Sequence, residues 1–263
     1  MQQRHVKRET NFEEQVRTAR KYYIPYINKH IGVIPDKVLE VGCGEGGNLL
    51  PFAELGCDVT GVDMAISRIE QARTFFASRR RKGTFIPANI FQLEELHQLF
   101  PLIIVHDVIE HIEDKEQFLS DLHKFLTPDG VIFVGFPAWQ MPFGGHQQIA
   151  HGRIVSHLPL IHLLPTFLYK IILRVFGEKK GTVAELLSIK RTGCTIEHFL
   201  SVVSRTSYKI INQQLFLVNP HYETKFGITP RKLNQRISRI PYLRNFLSTS
   251  CFYILRKTEN STP

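Results

Sequence analysis

Cysteine is scarce in this 263-residue chain, and Cys43, Cys57, Cys194 and Cys251 form no C-x-x-C pair. That scatter argues against a zinc–thiolate site and fits a reducing, cytoplasmic setting. Long apolar runs are missing too, and none is free enough of charge to span a bilayer. The opening residues, among them Gln2, Gln3, Arg4, Lys7 and Arg8, are polar and basic, unlike a secretory leader. No internal repeat or low-complexity tract is visible. Acid is in short supply: 24 Asp and Glu face 33 Lys and Arg, a formal charge of +9. The excess favours an anionic partner (nucleic acid, a membrane surface or a phosphorylated substrate) without choosing among them. What the chain does have is 43% hydrophobic residues, enough at this length for one domain or one domain plus a cap.

The richest stretch is Val38-Leu39-Glu40-Val41-Gly42-Cys43-Gly44-Glu45-Gly46-Gly47. An apolar strand runs into glycines, which allow sharp turns and close approach of a ligand to the backbone. A helix start beyond would offer unpaired N–H groups and a positive dipole end. Gly42, Gly44 and Gly47 fit the G-x-G-x-x-G pattern of dinucleotide sites, a weak match alone. Glu40 argues against that ligand, because a pyrophosphate on this turn would meet a carboxylate. An acid there suits a ligand carrying a cation. Asp63, about twenty positions on at the tip of the next strand, is placed to bond ribose hydroxyls.

With these residues the chain resembles the class I S-adenosylmethionine-dependent methyltransferases, closely over 37–137 and more loosely outside. The resemblance implies a Rossmann-like, doubly wound α/β fold: a seven-stranded, mostly parallel sheet with a C-terminal antiparallel hairpin and a helical cap insertion. It implies S-adenosylmethionine as cofactor. Glu40 would lie near the amino-acid end, with Gly42, Cys43, Gly44 and Gly46 along the turn. Asp63 would take the ribose, Met64 the adenine face, and Asn89 with Ile90 the adenine edge. His106 and Asp107 would face the methionine portion.

The alternation of patterns agrees. Strands are predicted at 37–41, 57–62, 83–86, 101–106 and 130–136, then at 208–218 and 250–256. Helices are predicted at 46–55, 65–82, 91–99 and 114–126. Residues 12–30 read as one or two helices interrupted near Pro25. Four regions follow: a helical segment 1–36 over the cofactor site, the core 37–137, a cap 138–205, and final strands 206–263 with a basic insertion at 219–245.

Asp107-Val108-Ile109-Glu110-His111 runs off the fourth predicted strand. On a helical turn, positions i, i+3 and i+4 share a face, so Asp107, Glu110 and His111 would form a ligand set for Mg²⁺ or a similar divalent metal. The run resembles the E-x-x-E-H segment of ubiquinone-pathway O-methyltransferases and small-RNA 2′-O-methyltransferases, which implies a metal that binds the substrate hydroxyl. The competing reading is a His111 that only caps a helix or orders a loop. His146, after Gly144 and Gly145, is the first choice for a general base or further ligand, with His151 second. The catalytic candidates are therefore His111, His146 and Asp107.

Residues 158–176 are apolar but broken by prolines and charges. Three uses compete: a plain cap, a pocket for a lipid or aromatic substrate, or a membrane-surface contact aided by Arg174, Lys179 and Lys180. Nucleic acid is a weaker partner. The D/N-P-P-Y/F signature of amino-methyltransferases is absent after the fourth strand, and the basic runs 79–82 and 231–244 read first as solvated faces. The expected function is O-methylation of a small or lipid-linked hydroxyl compound by a cytoplasmic protein that could sit at a membrane. The alternatives are an RNA 2′-O-methyltransferase and a non-catalytic cofactor-binding scaffold.

Overall fold

The structure, a computed structural model, describes residues 2–258; the outermost parts of the expected segments 1–36 and 206–263 lie outside the described residues. The chain opens with α1 (Gln2–Thr18), a π-helical turn (Ala19–Tyr23) and α2 (Ile24–Ile31). The helix is widened at 19–23 rather than broken at Pro25. Proline lacks an N–H and crowds the carbonyl four residues back, and a wider turn there accommodates it.

Strand and helix then alternate: β1 (Lys37–Val41), α3 (Leu50–Glu54), β2 (Asp58–Asp63), α4 (Ile66–Ser78), β3 (Thr84–Pro87), β4 (Phe100–His106), α5 (Lys115–Leu122) and β5 (Leu126–Phe136). Two predictions were too generous. Residues 46–49 turn without forming α-helix, and Pro51 near the helix start marks where α3 begins. The expected helix 91–99 is a pair of 3₁₀ turns, Ile90–Gln92 and Glu94–Leu96.

The sheet order is β3-β2-β1-β4-β5, parallel, continued antiparallel by β8 (Ser250–Lys257), β6 (Tyr208–Val218) and β7 (Arg231–Lys232). The described sheet therefore has eight strands, not seven. The eighth is a two-residue edge strand from within the basic insertion. That insertion separates β6 from β8, so the closing antiparallel pair is not a tight hairpin.

Side-chain alternation explains the layering. Leu39, Val41, Ile103, Val105, Ile132 and Val134 feed one core against α5. Val38, Leu102, Ile104, Val131 and Phe133 feed the other, with Phe12, Val16, Ala19, Tyr23 and Ile27 from the opening helices. Glu40 and His106 share the parity of the second set. Glu40, one residue before the end of β1, and His106, at the end of β4, lie on the face covered by the π-turn.

The expected cap contains α6 (Arg153–His157), α7 (Thr166–Val175), α8 (Lys180–Thr192) and α9 (Ile196–Ser204). The last of these belongs to the sheet, since Ile196, Phe199, Val202 and Val203 join its core. The rest has a small core of its own around Val155, Tyr169, Leu173 and Leu186. The insertion carries α10 (His221–Phe226), α11 (Gln235–Ser238) and α12 (Leu243–Leu247).

Candidate functional site

Parallel register brings the strand tips together: Glu40 pairs with Gly61 and Ile104, and Val41 with Val62 and Val105. The turn that follows β1 has φ of +73° at Gly42, +53° at Gly44 and +79° at Gly46, a region that side chains strain to enter. A Cβ on Gly42 would also lie 2.4 Å from Val108 Cγ2. Asp63 fastens this turn: its Oδ2 accepts the Gly44 N–H at 2.9 Å and its Oδ1 the Ala65 N–H at 2.8 Å. Each oxygen keeps a lone pair for a hydroxyl donor.

Glu40 is buried, accepts one bond from Asn48 Nδ2 at 2.7 Å, and leaves Oε2 without a partner. Burial pushes its carboxyl up to about 8. An orphaned buried carboxyl oxygen is costly unless a donor arrives, and a cationic donor would be the most favourable. Met64 is 77% exposed at the rim, and Asn89 is exposed while capping the next turn through Phe91 N. Cys43 and Ile90 turn their side chains into the two cores, so only their backbones can face a ligand. Gln15, which the sequence did not single out, reaches over the turn: a Cβ on Gly47 would meet its side chain at 2.6 Å.

His106 stands at the tip of β4, where its paired residue Gly135 leaves room for the ring. The hydroxyl of buried Tyr23 lies 2.8 Å from His106 Nε2. The periodicity of residues 12–30 marks Tyr23 only as part of a helix and does not show that the π-turn aims it at the sheet. Asp107 follows with φ +54°, which directs its carboxylate to His106 Nδ1 at 3.3 Å. Desolvation works against charge on Asp107, but His106, with His146 and His221, outweighs it and holds the carboxyl down at about 2.

The expected helical face does not form, because Ile109–His111 is a 3₁₀ turn entered from a left-handed residue. Among the described residues, Glu110, His111 and His146 do converge, with ligand atoms all within 4.8 Å of one another. Asp107 is not in that set. His146 Nε2 lies 3.9 Å and His111 Nε2 4.0 Å from Glu110 Oε1. Both Glu110 oxygens are buried without a hydrogen-bond partner. Burial, then the charge of Asp107, pushes the Glu110 carboxyl well above its usual range. Burial and His146 lower His111 to about 4, and burial lowers His146 as well. One buried carboxyl and two imidazoles at this spacing are a donor set that binds divalent metals.

The cap builds His146 into this place. Gly144 passes so close to the Trp139 carbonyl, and Gly145 to His162, that a Cβ would lie 2.3 and 2.2 Å from them. Buried His162 bonds the Trp139 carbonyl through Nε2 at 2.8 Å. Gln147 Nε2 ties the Pro142 and Leu158 carbonyls. His146 itself has φ +53°, a strained backbone held by these neighbours. His151 lies elsewhere, beside Glu178 at 3.5 Å, and does not join the cluster. From the insertion, His221 is lowered and Tyr222 raised by burial first, and both also feel the charge of Asp107.

Residues 39–132 match the family described as a methyltransferase domain. The chain is 32% identical over 109 residues to a ubiquinone biosynthesis O-methyltransferase of Rickettsia akari (strain Hartford), covering 41% of this chain and 42% of that protein. It is 30% identical over 118 residues to one of Bartonella tribocorum (strain CIP 105476 / IBS 506), covering 43% and 48%. The chain thus spans about half the length of the curated relatives it matches. In fold it is similar to the plantazolicin methyltransferase BpumL solved with SAH: TM-score 0.59, 15% identity, 98% of this chain and 90% of that one. It is also similar to a geranyl diphosphate C-methyltransferase from Streptomyces coelicolor A3(2): TM-score 0.56, 12% identity, 89% and 74%.

Proposed function

We propose, for a chain that belongs to the S-adenosylmethionine-dependent methyltransferase family, that it O-methylates a small or lipid-linked hydroxyl compound with the help of a divalent metal. The observation that carries the reading is Glu110, buried with both oxygens unpartnered beside His111 and His146. When bound, S-adenosylmethionine supplies a methyl group on a sulfonium whose departure leaves a neutral thioether, and a divalent cation supplies charge that makes a hydroxyl more acidic.

Glu40 would accept the cofactor's ammonium at its orphaned Oε2. Asp63 would accept ribose hydroxyls while its bonds to the Gly44 and Ala65 amides keep the turn in shape. Met64 would lie against the adenine. Glu110, His111 and His146 would hold the metal. Two imidazoles and one carboxylate suit Zn²⁺, Mn²⁺ or Fe²⁺ better than the all-oxygen set expected for Mg²⁺. Without a metal, an imidazole of the pair could instead take the acceptor's proton, since burial lowers both rings from their ordinary value. Tyr23 and His106 fix the floor on which the reacting groups are aligned.

Titration calorimetry should give S-adenosylmethionine binding in the micromolar range and no binding of NAD; the reverse result sinks the family-level reading. Metal analysis of the purified protein should find a transition metal, lost in Glu110→Gln. Activity on catechol-type or lipid-linked phenols should fall about a hundredfold with EDTA and in Glu110→Gln. Full activity in both would remove the metal while leaving the cofactor assignment intact.

A further inference from the structure

The cap has a row of apolar side chains that nothing in the fold covers. On α7, Tyr169 and Leu173 face the cap's small core. Phe167, Ile171 and Val175, one turn apart, point outward at 63%, 52% and 75% exposure, with Leu168 beside them. Lys170 and Arg174 flank that row along the helix. Such an arrangement is expensive in water and suits a helix lying in a bilayer interface with its basic side chains reaching the headgroups.

A second lobe repeats the pattern. In the insertion, Phe226, Tyr242 and Leu243 are exposed at 59%, 69% and 47%, among Lys225, Arg236 and Arg239. The topology places both lobes at one end of the sheet. The cap leaves from the end of β5 at Phe136, and Phe136 pairs with Cys251 at the start of β8. The insertion joins the end of β6 to that same start. This is also the end that carries Glu40, Asp63 and the Glu110 cluster.

Acid is sparse in both lobes, with Glu185 on α8 the exposed exception in the cap helices 153–192. Between 153 and 184 the sole acidic residue is Glu178, and between 219 and 249 it is Glu223. Glu178 is buried and engaged by the His151 and Gly152 amides. Glu223 is engaged by Lys21 and Tyr22. The net charge is positive in both, with Arg153, Lys170, Arg174, Lys179 and Lys180 against Glu185 in the cap, which is complementary to an anionic surface. No helix among the described residues is long and apolar enough to cross a membrane, so the contact would be made at the surface.

We propose that this end of the molecule is a docking surface for an anionic lipid bilayer, with α7 as its principal anchor and the insertion as the second contact. Docking in this orientation turns the cleft mouth toward the bilayer and to hydroxyl compounds dissolved in it. That consequence rests on the methyl-transfer reading above; the docking itself does not.

The test is flotation of the full chain with extruded vesicles of phosphatidylcholine, alone or with about a quarter phosphatidylglycerol. The wild type should float with the anionic vesicles, at least about tenfold more than with the neutral ones. Phe167→Ser/Ile171→Ser should reduce this about tenfold, and Lys170→Glu/Arg174→Glu should erase the preference for anionic lipid. Phe167, Ile171 and Arg174 are exposed and Lys170 is half-buried, and unchanged S-adenosylmethionine binding by calorimetry would report an intact fold. Failure to float with anionic vesicles at physiological salt overturns the proposal. So does flotation unaffected by Phe167→Ser/Ile171→Ser. A wild-type dimer that these substitutions convert to monomer, without flotation, assigns the face to a second copy and overturns it too.

Discussion

Glu40 in the sheet and Glu178 in the cap are both buried carboxyls, yet their surroundings drive them in opposite directions. Glu40 has one amide donor and an orphaned oxygen, and burial raises it to about 8. Burial acts on Glu178 too, but the Gly152 and His151 amides outweigh it and hold the carboxyl below its usual range. The contrast extends to the regions they occupy. The sheet is held by two large apolar cores made by strict alternation along β1, β4 and β5. The cap has a core of seven residues and relies on side chains tied to backbone: Gln147 to Pro142 and Leu158, Lys190 to the His162 carbonyl, and Lys115 to the Thr192 carbonyl. A region built this way opens more easily than the sheet beneath it.

The sharpest way to break the comparison is to cut each core. Phe133→Ala should cost about 3–5 kcal/mol and lower the single main melting transition. Leu173→Ala should cost about 2–5 kcal/mol but appear first as faster amide exchange over 150–190. Uniform exchange in Leu173→Ala would show that cap and sheet unfold as one unit. Gly145→Ala should come next. Its new methyl must displace His162, shift His146, and cut methyl transfer by about tenfold to a hundredfold, with S-adenosylmethionine binding kept. Loss of cofactor binding in that variant would show that the loop supports the cofactor rather than the acceptor.

Glu178→Gln removes the charge from two amide bonds and should cost about 1–3 kcal/mol, loosening the cap alone. The pH dependence gives the finest contrast. The Glu178 contribution is present above the ordinary carboxyl value of 4.5 and is lost as pH falls, because the unfolded chain binds the proton more readily. Glu40 acts in reverse. Its contribution is complete below 4.5 and is lost as pH rises through about 8, where the folded protein must give up a proton it holds tightly. Melting temperature of the ligand-free protein should therefore decline from pH 6 to pH 8, and Glu40→Gln should flatten that decline. An unchanged slope in Glu40→Gln would remove Glu40 as its source.

The strands were readable because alternation along a chain is a local property: Val38 to Val41 and Leu102 to Val105 show it directly. The glycine turn was readable because only glycine enters φ near +75° without strain. Glu40 and Asp63 were legible because they stand at fixed places beside that turn. Asp107 was misplaced because a spacing argument assumes an α-helix, and one left-handed residue before a 3₁₀ turn redirects the side chain. Tyr23 and Gln15 gave no signal, since apolar periodicity says which side of a helix is buried but not what that side touches.

By itself the sequence determined the parallel part of the fold: sheet, turn, and the acids at its edge, all encoded within short stretches whose period and spacing carry the geometry. Only the tertiary structure decided which residues meet Glu110. His146 is thirty-six positions away, and its approach depends on Trp139, His162 and Gln147 packing at once. The same holds for the outward face of α7, because a helix with apolar residues on two sides has no local rule for which side the fold will cover.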